Sequence, residues 1–139
     1  MRGLPASLTP RTVAVAGGVA HLVAVFAWAW TSGVSVGPSD PLVIAVSVGY
    51  AGLGVFLLAA LPLYLLARLS LVTPIVIALW IAGETVVQWL LGTHLHPISS
   101  YLTVSPLLVG VVLAVGIAEA LSRYGAERVS GRLGLGRLV

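Results

Sequence analysis

The sequence contains no cysteine, and charged residues make up only 8 % of its 139 residues. The lack of cysteine excludes disulfides, thiolate metal sites and iron–sulfur clusters. A soluble domain usually has about 25 % charged residues, so this chain has too little polar surface to face water on all sides. All seven of its cations are arginines, and they do not form a single stripe, which argues against nucleic-acid binding.

Apolar residues are abundant instead, at 59 % of the chain, and the mean hydropathy is +1.11. This composition predicts a single-domain, multi-pass protein of the cell membrane, with the lipid bilayer as its main surroundings. The use of arginine without lysine, together with many alanine, glycine and valine residues, is typical of a GC-rich prokaryotic genome.

Four dipeptides recur at nearly equal intervals: Thr9-Pro10, Asp40-Pro41, Thr73-Pro74 and Ser105-Pro106. A short polar side chain can cap a helix, and proline fits the first helical position, where no N–H donor is needed. An internal duplication would explain the spacing, but the segments share little else, so we favour four independent helix starts. The sequence thus predicts an all-α bundle of four transmembrane helices, over about residues 10–30, 41–67, 74–91 and 106–122.

The first of these helices has an alternative interpretation, because Ala27-Trp28-Ala29 resembles the small-x-small cleavage site of a secretory signal. Its apolar run is long for a signal core, and Trp28 and Trp30 are typical of an interfacial anchor. We therefore expect a membrane span.

The arginines predict the orientation. Arg2 and Arg11 precede the first helix, Arg68 lies between the second and third, and the other four follow the last helix. All seven fall on one side of a four-span threading, so the positive-inside rule places that side, and both termini, in the cytoplasm. The basic tail, residues 123–139, is expected to bind anionic lipid headgroups through Arg123, Arg128, Arg132 and Arg137.

Three polar side chains share one depth in the predicted bundle. Counted from the helix starts, Glu84, His21 and Tyr50 lie about 14–16 Å deep, near the middle of a hydrocarbon core about 30 Å thick. Trp80, Glu84 and Gln88 are spaced four apart, so they share one face of the third helix, and we expect that face to point into the bundle.

This polar layer has two interpretations. In the structural one, which we favour, Glu84 is a neutral or hydrogen-bonded acid that fixes helix packing with His21 or Tyr50. In the functional one, Glu84 binds and releases a proton or cation during transport, because acids inside a membrane commonly mark such pathways. Contacts with a quinone or a haem form a smaller third class.

Other candidate sites are weaker. His94 and His96 could bind a metal only with further ligands, so we predict no metal site and no cofactor. No nucleophile–base set is visible, which predicts no catalytic residues and no enzymatic activity. Glu119 lies four residues before Arg123, at the spacing of a local ion pair.

We therefore predict a small integral membrane protein that serves as a non-enzymatic accessory or structural subunit of a membrane assembly. The alternative is a small oligomeric proton- or ion-coupled transporter or channel that uses Glu84. Small residues spaced four apart on the first and fourth helices, and glycines in the second, predict close helix packing, and hence a homo-oligomer or a complex with other membrane subunits.

Overall fold

The computed structural model describes residues 9–34, 40–92 and 96–132. These residues form four α-helices and no strand: α1 (Pro10–Thr31), α2 (Pro41–Leu69), α3 (Thr73–Leu91) and α4 (Pro97–Arg132). Each helix is long and apolar enough to cross a membrane. The predicted all-α bundle of four spans is confirmed.

The first two helices begin as the dipeptides predict. The Thr9 hydroxyl accepts a hydrogen bond from the Thr12 backbone N–H at 3.2 Å, and an Asp40 carboxylate oxygen accepts one from the Leu42 N–H at 2.8 Å. Each following proline occupies the first turn of its helix. Both caps therefore satisfy N–H groups that have no partner within the helix.

Helix α3 begins at the predicted place but receives its cap from another helix. No side chain at its own start makes a capping hydrogen bond. Instead the Glu119 carboxylate of α4 accepts hydrogen bonds from the backbone N–H groups of Val72, at 3.2 Å, and Thr73, at 2.9 Å. The prediction that Thr73 caps α3 is therefore wrong, and the polar group that replaces it lies 46 residues away in the sequence.

Helix α4 is much longer than predicted, because Ser105-Pro106 lies inside it rather than at its start. Proline has no N–H to give to the carbonyl four residues earlier, which here belongs to Leu102. The Ser105 hydroxyl donates to that carbonyl at 3.0 Å, so the helix continues through Pro106. Helix α4 instead begins at Pro97 and includes the first part of the predicted tail, as far as Arg132.

Helix α2 is the centre of the bundle. It packs against α1 on one side and α4 on the other, and α3 packs against α4 and also contacts α2. Buried side chains from α1, α2 and α4 form the core: Val25, Val55, Leu58, Tyr101, Val109 and Val112. One end of the bundle holds the start of α1, the α2–α3 turn and the last turns of α4. We call it the basic end, because Arg11, Arg68, Arg123 and Arg128 lie there.

The α2–α4 contact depends on a small residue at Gly54. A Cβ atom added there would lie 2.5 Å from the Ser105 hydroxyl oxygen and 2.7 Å from the Pro106 ring. The two helices are thus in close contact where α4 lacks a backbone hydrogen bond. The close packing of α2 on α4 and the hydrogen bond that Ser105 supplies therefore lie at the same level of the bundle.

Replacing Gly54 by alanine should destabilise the protein by about 1–3 kcal/mol, the usual cost of forcing extra volume into a packed contact. Gly49→Ala on the same helix is the matched control, because a Cβ there would meet nothing within 4 Å. Alanine is also the better helix former, so the control should be neutral or stabilising. Unfolding of the two variants in mild detergent, followed by circular dichroism, measures the difference. Equal stabilities would contradict this close approach.

Candidate functional site

Glu84 lies on the side of α3 that points away from the bundle. We call this side the outward face of α3; its members are all exposed and are Val76, Trp80, Gly83, Glu84, Val87 and Leu91. Trp80 is 69 % exposed. The expectation that Trp80 and Glu84 point into the bundle is therefore wrong for the single chain, and Gln88 alone of that predicted set is half-buried.

The reason lies in which side of α3 packs on its neighbours. Pro74 is buried against α4, where Gly116 leaves room for its ring. Ile77 and Ile81 pack against the core, and Thr85 lies on the same side. Glu84 lies about 100° around the helix from Thr85, at the border of this packed side, and it is exposed there.

His21 has a partner that the sequence did not indicate. Its Nε2 atom lies 2.9 Å from the Tyr101 hydroxyl oxygen, so the two side chains share a hydrogen bond. Their rings meet edge to face, with centroids 6.2 Å apart. Tyr101 is 4 % exposed, so this pair is a polar contact between α1 and α4 in the interior of the bundle. The predicted partners of His21, Glu84 and Tyr50, both lie on exposed surfaces instead.

The His21–Tyr101 pair lines a cleft between α1 and α3. The cleft has a volume of about 190 Å³. Thr85 lies along its α3 side. Trp28 also lines the cleft and makes an edge-on contact with Trp89 of α3, with 5.5 Å between ring centroids. The hydroxyl of Thr85 donates to the Ile81 carbonyl of its own helix, so the polar groups of this cleft are largely bonded to one another or to the backbone.

The predicted polar layer is thus not a single cluster. Tyr50 is 49 % exposed on α2, Glu84 is exposed on α3, and His21 faces the cleft. Within the described residues, neither Glu84 nor Tyr50 has a side-chain hydrogen bond or an ion pair with its own chain. An acid and a base that exchange a proton must lie within hydrogen-bond reach of each other or of a shared water, and these groups are on different surfaces.

The predicted ion pair between Glu119 and Arg123 is confirmed at 2.6 Å. The same Arg123 guanidinium also donates to the Ser70 carbonyl at 3.0 Å, next to the N–H groups that Glu119 caps. Arg123 therefore links the α2–α3 turn to α4.

The other predicted headgroup ligands are only partly described. The Arg128 guanidinium lies 5.1 Å from the centre of the Tyr124 ring, in a cation–π arrangement. The side chain of Arg132 and the whole of Arg137 lie outside the described residues, so headgroup binding by these four arginines stays a prediction.

The possible metal site at the second loop falls largely outside the described residues, because His94 belongs to the segment 93–95. Among the residues that are described, no group of three or more His, Asp or Glu side chains is placed to hold a metal ion.

Comparison with known proteins adds no relative. The chain matches no protein-family model, no curated protein and no solved structure. Two features make up the candidate site: a lone carboxyl in the middle of an exposed helix face, and a bonded His–Tyr pair in a cleft inside the bundle.

Removing the Tyr101 hydroxyl should destabilise the fold. We expect Tyr101→Phe to lower the free energy of unfolding by about 0.6–2 kcal/mol, the range for hydrogen bonds between membrane helices. Tyr124→Phe is the matched control, because Tyr124 is 55 % exposed and phenylalanine keeps a ring beneath Arg128. Denaturation by detergent titration gives the values. If His21→Phe and Tyr101→Phe are fully additive in a double-mutant cycle, the pair contributes no coupling and this account is refuted.

Proposed function

We propose that the chain is a non-enzymatic accessory or structural subunit of a membrane assembly, and that a helix of its partner packs on the outward face of α3. The observation that carries this proposal is the position of Glu84. The residue lies about 16 Å along α3 from Thr73, in the middle of the span. It is exposed there, with no polar partner among the described residues of its own chain. Polar groups inside a membrane normally face another helix or a water-filled cavity.

The shape of α3 supports helix docking. Pro74 is its one buried residue, whereas each of the other three spans has about a fifth of its apolar window buried. Next to Glu84, a Cβ atom added at Gly83 would meet nothing within 4 Å. Small residues at such positions let a second helix backbone come close, and polar side chains then form hydrogen bonds across the contact.

A second candidate function is proton- or ion-coupled transport by an oligomer of this chain. The same observation favours it, because a mid-membrane carboxyl can bind and release a proton or cation. The separation of Glu84 from His21 and Tyr50 argues against a pathway within one chain, since such a pathway would need polar groups that continue from Glu84 toward either surface.

We also propose that the basic end of the bundle is cytoplasmic. Four of the described cations, Arg11, Arg68, Arg123 and Arg128, lie at that end, as the positive-inside rule requires of a cytoplasmic side. The chain has no cysteine, so single-cysteine variants report on one position each.

An impermeant thiol reagent added outside intact cells should label Ser32→Cys, which lies just after α1 at the opposite end. It should not label Gly125→Cys until the cells are opened. Both positions are exposed, so access to either reflects its side of the membrane. Labelling of Gly125→Cys in intact cells would reverse the proposed orientation.

Truncating Glu84 should weaken assembly while leaving the fold intact. We expect Glu84→Ala to weaken association about 5- to 30-fold, which corresponds to about 1–2 kcal/mol for a polar contact between membrane helices. Glu84→Gln, which keeps a hydrogen-bonding side chain, should lose less. The control is Val111→Ala, an exposed apolar position on α4. Mass spectrometry of the complex purified in mild detergent identifies the partner and measures the affected fraction.

The transport alternative is tested with the same variants in vesicles that contain a pH-sensitive dye. A wild-type proton flux that Glu84→Gln abolishes would replace the subunit role with transport. Absence of flux, together with weaker association of Glu84→Ala, would support the subunit role.

A further inference from the structure

A shallow groove runs along the membrane-facing surface between α1 and α2, at the basic end. Its volume is about 280 Å³. Arg11 and Tyr64 lie at its mouth, the buried side chains of Ala14 and Ala60 form its floor, and Phe56 lies at its deeper end. The groove shares no residue with the outward face of α3, so what it binds is independent of the subunit role.

Close packing of α1 on α2 fixes the shape of this groove. A Cβ atom added at Gly18 would lie 2.6 Å from the Phe56 ring and 2.9 Å from the Ala60 side chain. One added at Gly17 would collide with Leu63. The two helices are therefore in close contact beneath the groove, and the small alanines leave a depression above that contact.

The length of the groove matches one leaflet of a bilayer. Tyr64 and Phe56 are eight residues apart on α2, which corresponds to about 12 Å. Half of the hydrocarbon core of a membrane is about 15 Å thick. Between its two ends the groove is lined by apolar side chains, so it offers hydrocarbon contacts over most of the depth that an acyl chain occupies.

The mouth has the complementary polarity. Arg11 is exposed in the first turn of α1, at the level where its guanidinium can reach a headgroup phosphate, and Tyr64 adds a hydroxyl donor nearby. Arginine binds phosphate through several donors of its planar guanidinium. Basic pockets at the ends of transmembrane helices recognise anionic lipid headgroups in the same way.

We propose that this groove binds one anionic phospholipid, with an acyl chain on Ala14 and Ala60 and its phosphate at Arg11 and Tyr64. The surroundings and the charge both favour a lipid as the occupant. The groove opens toward hydrocarbon, and its one described cation lies where phosphates lie. A transmembrane helix of a partner would place a mostly apolar surface against that cation.

Native mass spectrometry tests the site, using the full chain with equal amounts of phosphatidylglycerol and phosphatidylcholine. The wild type should retain one lipid and prefer phosphatidylglycerol. Arg11→Gln should reduce that preference about fivefold, as expected for one cation near the headgroups. Arg68→Gln is the matched control, because Arg68 is an exposed cation at the same end of the bundle that does not line the groove.

A second variant tests the apolar part of the site without disturbing helix packing. Val15 lines the groove but is 54 % exposed, so Val15→Trp should fill the space from the side and prevent retention of either lipid. Three outcomes would overturn the proposal: no lipid retained by the wild type, an equal loss of preference in Arg11→Gln and Arg68→Gln, or unchanged retention in Val15→Trp. Disulfide cross-linking of two Val15→Cys chains in the membrane would assign the groove to a second copy instead.

Discussion

The structure depends first on the need to satisfy every backbone polar group in a medium without water. Lipid offers no hydrogen bonds, so each N–H or C=O group that a helix leaves unpaired needs a partner from the protein. Four of the polar side chains in this chain meet that need. Thr9 and Asp40 cap α1 and α2, Glu119 caps α3 from a distance, and Ser105 replaces the bond that Pro106 removes.

The same constraint explains which helix starts the sequence could predict. A polar residue followed by proline indicates a cap only if the proline lies in the first turn. At Pro10 and Pro41 it does, and the interpretation is confirmed. At Ser105-Pro106 the same pattern lies inside α4, where the serine hydroxyl supplies the hydrogen bond that proline cannot make. This position is next to the close approach of Gly54. The dipeptide alone cannot separate the two cases, because the difference lies in a contact with another helix. His96-Pro97 carried the correct signal for the start of α4, and recognising it would have placed Tyr101 inside that helix.

The sequence could predict how deep Glu84 lies in the membrane but not which way its side chain points. Depth follows from counting residues along a helix, and Glu84 does lie in the middle of α3. Direction requires a polar stripe or an apolar stripe to orient the helix, and α3 is apolar nearly all around. Its orientation is instead set by Pro74 against Gly116 and by Ile77 and Ile81 in the core. With α3 held in this way the carboxyl is exposed, and the partner of His21 is a tyrosine of α4.

The polar residues of the membrane interior are of two kinds. The His21–Tyr101 pair satisfies its own hydrogen bond and joins α1 to α4, so it is explained within one chain. Glu84 contributes no such bond to the described fold, although placing an ionisable side chain at the centre of a span costs about 2.5–3.5 kcal/mol on insertion scales. In the proposed subunit role, contacts outside the chain offset that cost. A partner helix that offers a hydrogen bond at the level of Gly83 and Glu84 would supply such a contact, and this chain leaves the space for it.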